Sequence, residues 1–371
     1  MTGPKIRVLV VDDSVVVRRI VTEVLGQAPD IEVAGIAANG KIALQKLTQV
    51  APDLVTLDVE MPEMDGLATL KAIRATHPRL PIIMYSTLTE RGAVTTLEAL
   101  AAGATDYVTK PANVGSVNEA RDRIATELVP KVRALCGRVE RRPFKPAAPA
   151  AAAAHPAAPA RPRNPSLPQR VDVLGIGSST GGPNALTELF AKLPASFPVP
   201  VVVTQHMPPL FTRYLAERLN EVSGLTVREA TNGVRLEPGT AWVAPGDHHL
   251  TIRQDGPRMT VVLNQEPPEN SCRPAVDPMF RSLAAVYGPK VLGVVLTGMG
   301  HDGGVGADHI KAAGGQVIVQ DEATSVVWGM PGTVADAGLA DQVLPLPAIA
   351  DELIRRVTVG RAVPGALAGR K

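Results

Sequence analysis

Three aspartates near the start of the chain are spaced to share one cation. Asp12 and Asp13 follow an apolar run over residues 6–11, and Asp58 follows another run over residues 54–57. If both runs are parallel strands, their carboxyl ends meet at one edge of the sheet. Converging carboxylates repel one another unless a cation lies between them, and hard oxygen ligands suit Mg²⁺. The sequence therefore predicts a magnesium site formed by these three residues.

Two further polar groups would complete a pocket that accepts a phosphoryl group. Ser86 follows the apolar run 82–85, and Lys110 follows the run 105–108. A hydroxyl and an ammonium at these positions can contact phosphoryl oxygens, while the carboxylate of Asp58 acts as the nucleophile. Thr87 lies beside Ser86 and is an alternative hydroxyl. The prediction is phosphorylation at Asp58 with Ser86 and Lys110 sensing the phosphate.

A serine elbow is predicted in the second half of the chain. Residues 177–181 read GSSTG, a GxSxG pattern that places Ser179 on a sharp turn near backbone N–H groups for an oxyanion. A dinucleotide-binding GxGxxG would need Gly or Ala where Thr180 stands, and a P-loop would need a Gly-Lys-Ser or Gly-Lys-Thr that the segment lacks. A plain tight turn between a strand and a helix remains the alternative.

A serine nucleophile needs a base and a group that orients the base. His206 follows the apolar run 199–204, and Asp302 follows the run 291–297, so both should reach the sheet edge that carries Ser179. His301 is a rival base because it adjoins Asp302. Nucleophilic catalysis by Ser179, with His206 as the base and Asp302 orienting it, is the chemistry that these positions favour.

A metallohydrolase is a competing interpretation. It depends on acidic and imidazole groups whose spacing matches no familiar metal motif. These residues are Asp247, His248, His249, His301 and His309.

The elements that must position these residues alternate between strands and helices in both halves. In the first half, five strand and helix pairs predict a flavodoxin-like domain with a five-stranded parallel sheet. In the second half, the same alternation predicts a doubly wound α/β domain. Residues 227–264 interrupt the rhythm and suggest an antiparallel excursion with strands at 241–244 and 259–263. Further strands are expected at 31–36, 171–176 and 316–319, and helices at 183–193, 211–221, 277–287 and 304–313.

Alanine and proline alternate between the two halves. Residues 141–169 contain almost no large apolar side chain, and proline repeatedly removes the helical N–H donor, so this stretch should be a semi-extended linker. We expect a first domain at 1–128, a linker at 129–169 and a second domain at 170–360. A short helix is expected at 131–139, with no indication of the domain to which it attaches.

The composition narrows the classes of partner. Among 371 residues, 38 Lys and Arg balance 36 Asp and Glu, so the net charge of +2 provides no field to attract nucleic acid. No stretch approaches the roughly 18 apolar residues of a membrane span, and no export segment is recognisable. Cys136 and Cys272 are expected to be free thiols. The expectation is a cytoplasmic protein without direct membrane insertion.

The first half resembles the receiver domain of two-component response regulators. VVDDS, LDVEMPEMDG, MYST and TKP follow the first, third, fourth and fifth strands in that family's order. The resemblance covers about residues 5–128. It implies that Asp12 and Asp13 bind Mg²⁺, that Asp58 accepts phosphate from a sensor histidine kinase, and that Ser86 and Lys110 contact the phosphate.

The second half resembles the catalytic domain of the chemotaxis protein-glutamate methylesterase (CheB) family. The motifs GSSTGGP, TQHMPP, VAPGDHH, RPAVDPMF and LTGMGHDG carry the resemblance over about residues 171–359. It implies hydrolysis of glutamate methyl esters on chemoreceptors to glutamate and methanol, with deamidation of receptor glutamines as a further activity. Ser179, His206 and Asp302 are then catalytic, Thr180 and Met299 lie near the oxyanion, and no cofactor serves the hydrolysis.

The resemblance leaves some points open. It gives no chemical role to His249 or to residues 273–277, and the docking face of the receiver is not visible in the sequence. We expect the unphosphorylated receiver to cover the Ser179 site. The rival from another class is a non-enzymatic response regulator whose second domain only binds a partner, but a DNA-reading basic helix is not evident.

Overall fold

The computed structural model describes residues 4–110, 117–137 and 169–361. Its N-terminal domain has a five-stranded parallel sheet in the order β2-β1-β3-β4-β5. This confirms the predicted parallel α/β receiver. The strands are β1 (Ile6–Val11), β2 (Ile31–Ala37), β3 (Leu54–Asp58), β4 (Ile82–Ser86) and β5 (Asp106–Thr109).

Helices connect these strands. The hydroxyl of Ser14 accepts a hydrogen bond from the N–H of Val17 and caps the first helix, as the sequence suggests. Val21, Val24 and Leu25 of that helix are buried against the sheet. The helices are α1 (Val15–Gln27), α2 (Gly40–Val50), α3 (Gly66–Thr76), α4 (Glu90–Ala101) and α5 (Val117–Leu135).

The last helix of this domain runs past the expected boundary at residue 128. Helix α5 contains Pro130 and continues to Leu135, and Leu128 and Val132 are buried in the same core as strand β1. The segment expected as a separate short helix at 131–139 is therefore the end of α5 as far as Leu135. Most of the expected linker, residues 138–168, lies outside the described residues.

The C-terminal domain has a seven-stranded sheet in the order β14-β13-β12-β6-β7-β9-β8. All of its pairings are parallel, and the chain leaves β6 in one direction towards β7 and returns on the other side at β12. The carboxyl ends of β6 and its neighbours form the switch point where doubly wound sheets bind ligands. The strands are β6 (Val173–Ser178), β7 (Val201–Gln205), β8 (Thr226–Glu229), β9 (Thr240–Val243), β12 (Val291–Val295), β13 (Gln316–Gln320) and β14 (Gln342–Leu344).

The antiparallel excursion is confirmed but is smaller than expected. Among the strand pairs of the described ranges, the hairpin of β10 (His249–Asp255) and β11 (Arg258–Asn264) is the antiparallel one. The strand expected at 241–244 is β9, which pairs with β7 and β8 in parallel within the main sheet. Placing this strand in the excursion was wrong, because β9 inserts between β7 and β8 in the main sheet and its four residues do not indicate which partners it takes.

Helices cover both faces of the second sheet. Glycines in β6 and β12 let two helices approach closely, since a Cβ at Gly175 would lie 2.6 Å from Leu283 and a Cβ at Gly293 would lie 2.8 Å from Ile310. The helices are α6 (Gly182–Phe190), α7 (Phe211–Val222), α8 (Val276–Tyr287), α9 (Gly304–Ala312), α10 (Met330–Asp336) and α11 (Leu346–Val357). Across the described ranges, we find no helix with the length and apolarity needed to span a membrane.

Candidate active site and phosphoacceptor pocket

The acidic pocket forms where the sequence places it. Asp58 is the last residue of β3, Asp12 follows β1, and both side chains are only 2 % exposed. The ammonium of Lys110 lies 2.7 Å from Asp58 Oδ2 and 3.0 Å from Asp12 Oδ2. Asp13 is exposed beside them, and the ligand oxygens of the three aspartates all lie within 4.8 Å of one another. The lysine neutralises part of the negative charge of the pocket.

The charge balance of this pocket fits a divalent cation. Burial and the nearby carboxylate of Asp12 raise the pKa of Asp58 to about 6, although Lys110 opposes this. Within the described part of the chain, Lys110 is the one polar group that contacts the buried Oδ2 atoms of Asp12 and Asp58. Oxygens that are desolvated, mutually repelling and incompletely satisfied suit Mg²⁺. Asp12, Asp13 and Asp58 are therefore the residues that would hold it.

Ser86 is fully buried at the end of β4. Its hydroxyl donates to the carbonyl oxygen of Gly92, 3.1 Å away, in the first turn of α4. A phosphate contact requires this hydroxyl to leave Gly92, so Ser86 connects the pocket to α4. Thr87, the alternative hydroxyl, contacts Thr89 at the start of the same helix.

The serine elbow joins β6 to α6. Gly181 has a φ of 77°, and a Cβ there would lie 2.6 Å from Val326, so the turn requires glycine. The amide of Gln205 donates to the carbonyl oxygen of Ser179 at 2.9 Å, and its Oε1 accepts from the Ser178 hydroxyl at 2.7 Å. Gln205, which the sequence analysis missed, thus holds the elbow against the end of β7.

Some backbone N–H groups around the elbow remain available for an oxyanion. The N–H of Ser179 donates to the carbonyl oxygen of Thr297. By contrast, the N–H groups of Thr180 and Met299 have no acceptor in the ranges that the structure covers. Such groups can stabilise an oxyanion at the elbow. This is the role that the resemblance implies for these two residues.

His206 pairs with Asp302. Its Nε2 lies 2.7 Å from Asp302 Oδ2, and its side chain is only 11 % exposed. Burial lowers the pKa of His206, but the hydrogen bonds from its ring to Asp302 and Cys272 raise it more, so the pKa lies above its ordinary value. No hydrogen bond of the Ser179 hydroxyl is found among the residues described, so the contact between serine and base is not formed here.

Asp302 is held by donors from three directions. Its carboxylate accepts from the N–H groups of Val276 at 2.6 Å and of Asp277 at 3.0 Å, where α8 begins. It also accepts from its neighbour Gly303 and from the side-chain amide of Asn270, both at 2.9 Å. Although burial raises the pKa of Asp302, His206 and these donors lower it below its ordinary value. The carboxylate therefore stays ionised and accepts the Nε2–H of His206.

The motif RPAVDPMF, which had no assigned role, builds this site. Asp277 accepts from the N–H groups of Gly303 and Gly306, and thereby fixes the loop that carries Asp302. Burial and repulsion by Asp302 raise the pKa of Asp277 to about 6. His249 joins the same unit, because one ring nitrogen contacts the N–H of Ala275 and the other contacts a backbone carbonyl.

The remaining histidines lie elsewhere. His301 is exposed, and His309 contacts a carbonyl within its own helix. His248 contacts the carbonyl oxygen of Gly246. Within the described ranges, the aspartates of the first domain form the group of side chains that could bind a metal. The histidines of the competing metallohydrolase interpretation form no such group there.

Family comparisons agree with both halves of the chain. Residues 8–121 match the model described as the response regulator receiver domain, and residues 174–353 match that of the CheB methylesterase. A protein-glutamate methylesterase/protein-glutamine glutaminase of Trichodesmium erythraeum is 51% identical over 354 residues, which cover 95% of this chain and 99% of that relative. This chain belongs to the CheB family.

Other relatives extend the likeness. A protein of the same name from Nocardioides sp. is 54% identical over 355 residues, which cover 95% of this chain and 96% of that relative. The crystal structure of the Thermotoga maritima CheB methylesterase catalytic domain is 45% identical in sequence, with a TM-score of 0.49. It covers 50% of this chain and 98% of that chain.

In this CheB-family chain, the receiver packs against the helices that begin at the site. Helix α4 supplies the carbonyl oxygens of Leu97 and Leu100, which accept from Arg218 at 2.6 Å and from Asn184 at 2.9 Å. Within β5, Tyr107 stacks on Phe211, the first residue of α7, and the ring centroids are 4.9 Å apart. Helix α6 follows the serine elbow, and α7 follows the loop of His206. This face was not predicted from the sequence.

Substitution of Asp13 tests the magnesium site. Asp13→Asn should weaken Mg²⁺ binding by at least about tenfold, since outer-shell partners alone contribute roughly 10–100-fold to metal affinity. Asp53→Asn is the matched control, because Asp53 is exposed and accepts from the Arg7 N–H at the opposite end of β1. Isothermal titration of both variants and the wild type with Mg²⁺ provides the measurement. Equal affinities for the wild type and Asp13→Asn would remove this residue from the site.

Proposed function

We propose that this chain is a phosphorylation-regulated hydrolase that converts glutamate methyl esters of chemoreceptors to glutamate and methanol. The observation that carries the proposal is the pair of His206 and Asp302 beside the Ser179 elbow, at the carboxyl ends of neighbouring strands. The names of the relatives support the substrate class. They also support a second activity, the deamidation of receptor glutamines.

Ser179 is the proposed nucleophile and His206 is its base. Because Nε2 is engaged by Asp302, the neutral ring accepts the serine proton at Nδ1. The serine oxygen attacks the ester carbonyl, and His206 returns the proton to the departing methoxide, which leaves as methanol. Water then hydrolyses the acyl-enzyme with the same base.

The negative charge of the tetrahedral intermediate develops at the carbonyl oxygen. We assign its stabilisation to the N–H groups of Thr180 and Met299, which have no acceptor within the described part of the chain. Asp302 keeps the ring in the required tautomer and stabilises the imidazolium. Deamidation follows the same course, with ammonia as the leaving group.

The receiver supplies the proposed regulation. Asp58 accepts a phosphoryl group from a sensor histidine kinase. Asp12, Asp13 and Asp58 would hold Mg²⁺, which would supply positive charge to the phosphoryl oxygens. Lys110 and Ser86 contact the phosphate, and Ser86 leaves the carbonyl of Gly92 to do so. This movement reaches α4, the helix that packs on α6 and α7. Phosphorylation thereby shifts the population from a docked, less active arrangement to an open one. We place this reaction in the cytoplasm.

The nucleophile can be tested directly. Ser179→Ala should lower methanol release from methylated chemoreceptors by at least about 10³-fold, as expected when a nucleophile is removed. Ser196→Ala, an exposed serine of the same domain, is the matched control and should keep full activity. Near-normal turnover by Ser179→Ala would contradict the assignment. If no turnover is found even in the wild type, the chain is a response regulator that only binds a partner.

The docking face can be tested with the full-length chain. Arg218→Ala removes a hydrogen bond to Leu97 across the interface, so hydrolysis by the unphosphorylated enzyme should rise about tenfold. A hydrogen bond from a charged group contributes about 1.5–3 kcal/mol, which sets this magnitude. Arg355→Ala, on the exposed side of α11, is the control. Unchanged or lower basal activity would contradict inhibition through this face.

A further inference from the structure

The base nitrogen of His206 has a partner that the proposed reaction does not use. The Sγ atom of Cys272 lies 3.4 Å from Nδ1, while Asp302 occupies Nε2. In the neutral ring, the thiol can donate to the Nδ1 lone pair. In the imidazolium, Nδ1–H can donate to the sulfur, which is a weak acceptor. Before the serine hydroxyl approaches, the contact can therefore form in either protonation state of the base.

The backbone of the loop that carries Cys272 is held in an uncommon conformation. Asn270 and Ser271 have φ values of 52° and 62°, a left-handed conformation that is uncommon for residues other than glycine. Glu269 and Cys272 exchange two backbone hydrogen bonds that close this turn. Strained backbone of this kind persists where the surroundings enforce it, often at functional sites.

Two ion pairs anchor the loop from outside. Arg281 of α8 binds Glu269 with both guanidinium arms. On the other side of the thiol, Arg273 binds Asp247 at 2.6 Å. Within the loop, Asn270 donates to both Asp302 and Asp277. The segment 270–272 thus contacts both partners of the pair: the amide of Asn270 binds Asp302, and the thiol of Cys272 binds His206.

We propose that Cys272 is a positioning residue: its thiol holds Nδ1 of His206 and fixes the imidazole in the orientation from which it takes the Ser179 proton. The inference rests on the proposed function of Ser179 and His206. A ring held only at Nε2 can rotate about that hydrogen bond, whereas a second partner at Nδ1 fixes its plane. The thiol yields Nδ1 when the serine hydroxyl approaches, because a weak donor is easily displaced.

The loss of the thiol should change the pKa of His206, which can be measured. Burial lowers the pKa of His206, and Asp302 and the thiol raise it, so loss of the thiol alone moves the pKa down. Other charges near the pair stay in place in a Cys272 variant. The titratable groups around the ring are Glu269 and Cys272 before α8, Asp277 and Arg281 on α8, and Asp302 before α9.

The test compares the pH dependence of kcat/KM for methanol release in Cys272→Ala, Cys272→Ser and wild type. Cys272→Ala should move the acid limb to lower pH and be about 2- to 10-fold faster below the limb, the effect of one hydrogen bond on an equilibrium. On the plateau it should be slower by a similar factor, because the ring has lost its second partner. Cys272→Ser keeps an O–H at this position and should restore both features.

The second cysteine provides the control. The chain has two cysteines, and Cys136→Ser, at the end of the receiver, should match the wild type at every pH. In that variant, iodoacetamide alkylates Cys272 without any substitution near the site. The added group occupies the space at Nδ1, so alkylation should abolish methanol release.

Several results would overturn the inference, and three of them concern Cys272 variants or its alkylation. They are a Cys272→Ala profile that superimposes on the wild type, a Cys272→Ser profile that matches that of Cys272→Ala, and full activity of the alkylated Cys136→Ser protein. Loss of activity in Cys272→Ala as complete as in Ser179→Ala would also contradict it, because loss of one positioning hydrogen bond changes the rate by only about 2- to 10-fold. Turnover by Ser179→Ala, measured in parallel, contradicts the proposed function instead, so the two failures are distinguishable.

Discussion

The hydrogen bond between Asp302 and His206 is the interaction on which the rest of the second domain depends. A buried carboxylate is costly unless its oxygens are satisfied, and here the first N–H groups of α8 and the amide of Asn270 satisfy them. These donors keep the carboxylate ionised, and the ionised carboxylate selects the ring nitrogen that remains basic. Asp277 then secures the loop of Asp302 through its own acceptors. The family motifs of this domain are best understood as parts of this one arrangement.

Both domains place buried carboxylates at the carboxyl ends of parallel strands, but the hydrogen bonding of these carboxylates differs. In the receiver, buried carboxylates are left incompletely satisfied, so the pocket suits a cation and a phosphoryl group. In the second domain, the carboxylate is fully satisfied, so it can orient a base. Helix α4 lies between the two functions, because Ser86 contacts its first turn and its carbonyl groups accept from α6 and α7. A change at Asp58 can therefore reach α6 and α7 through Ser86 and α4, which are in direct contact.

Much of this arrangement follows from local sequence. Residues at the ends of parallel strands share one sheet edge whatever the strand order, so Asp12, Asp58 and Lys110 could be placed together from their positions alone. The strand order of the second sheet could not be predicted, because β9 lies between β7 and β8 and pairs with both, which reverses the order of the chain. The supporting roles of Asn270 and Cys272 could also not be predicted from the sequence. Their loop has left-handed backbone angles, and ion pairs with residues from other parts of the chain hold it in place. A hydrophobic periodicity in the sequence cannot predict such a loop.

The central claim is that Asp302 holds the Nε2–H of His206 and leaves Nδ1 as the base. Nitrogen-15 NMR of the His206 imidazole across pH, in the wild type and in Asp302→Asn, tests it most directly. The account predicts an Nε2–H tautomer in the neutral ring, a titration midpoint above the ordinary 6.5, and a lower midpoint in Asp302→Asn. An Nδ1–H tautomer, or a midpoint that is the same in both proteins, would contradict it.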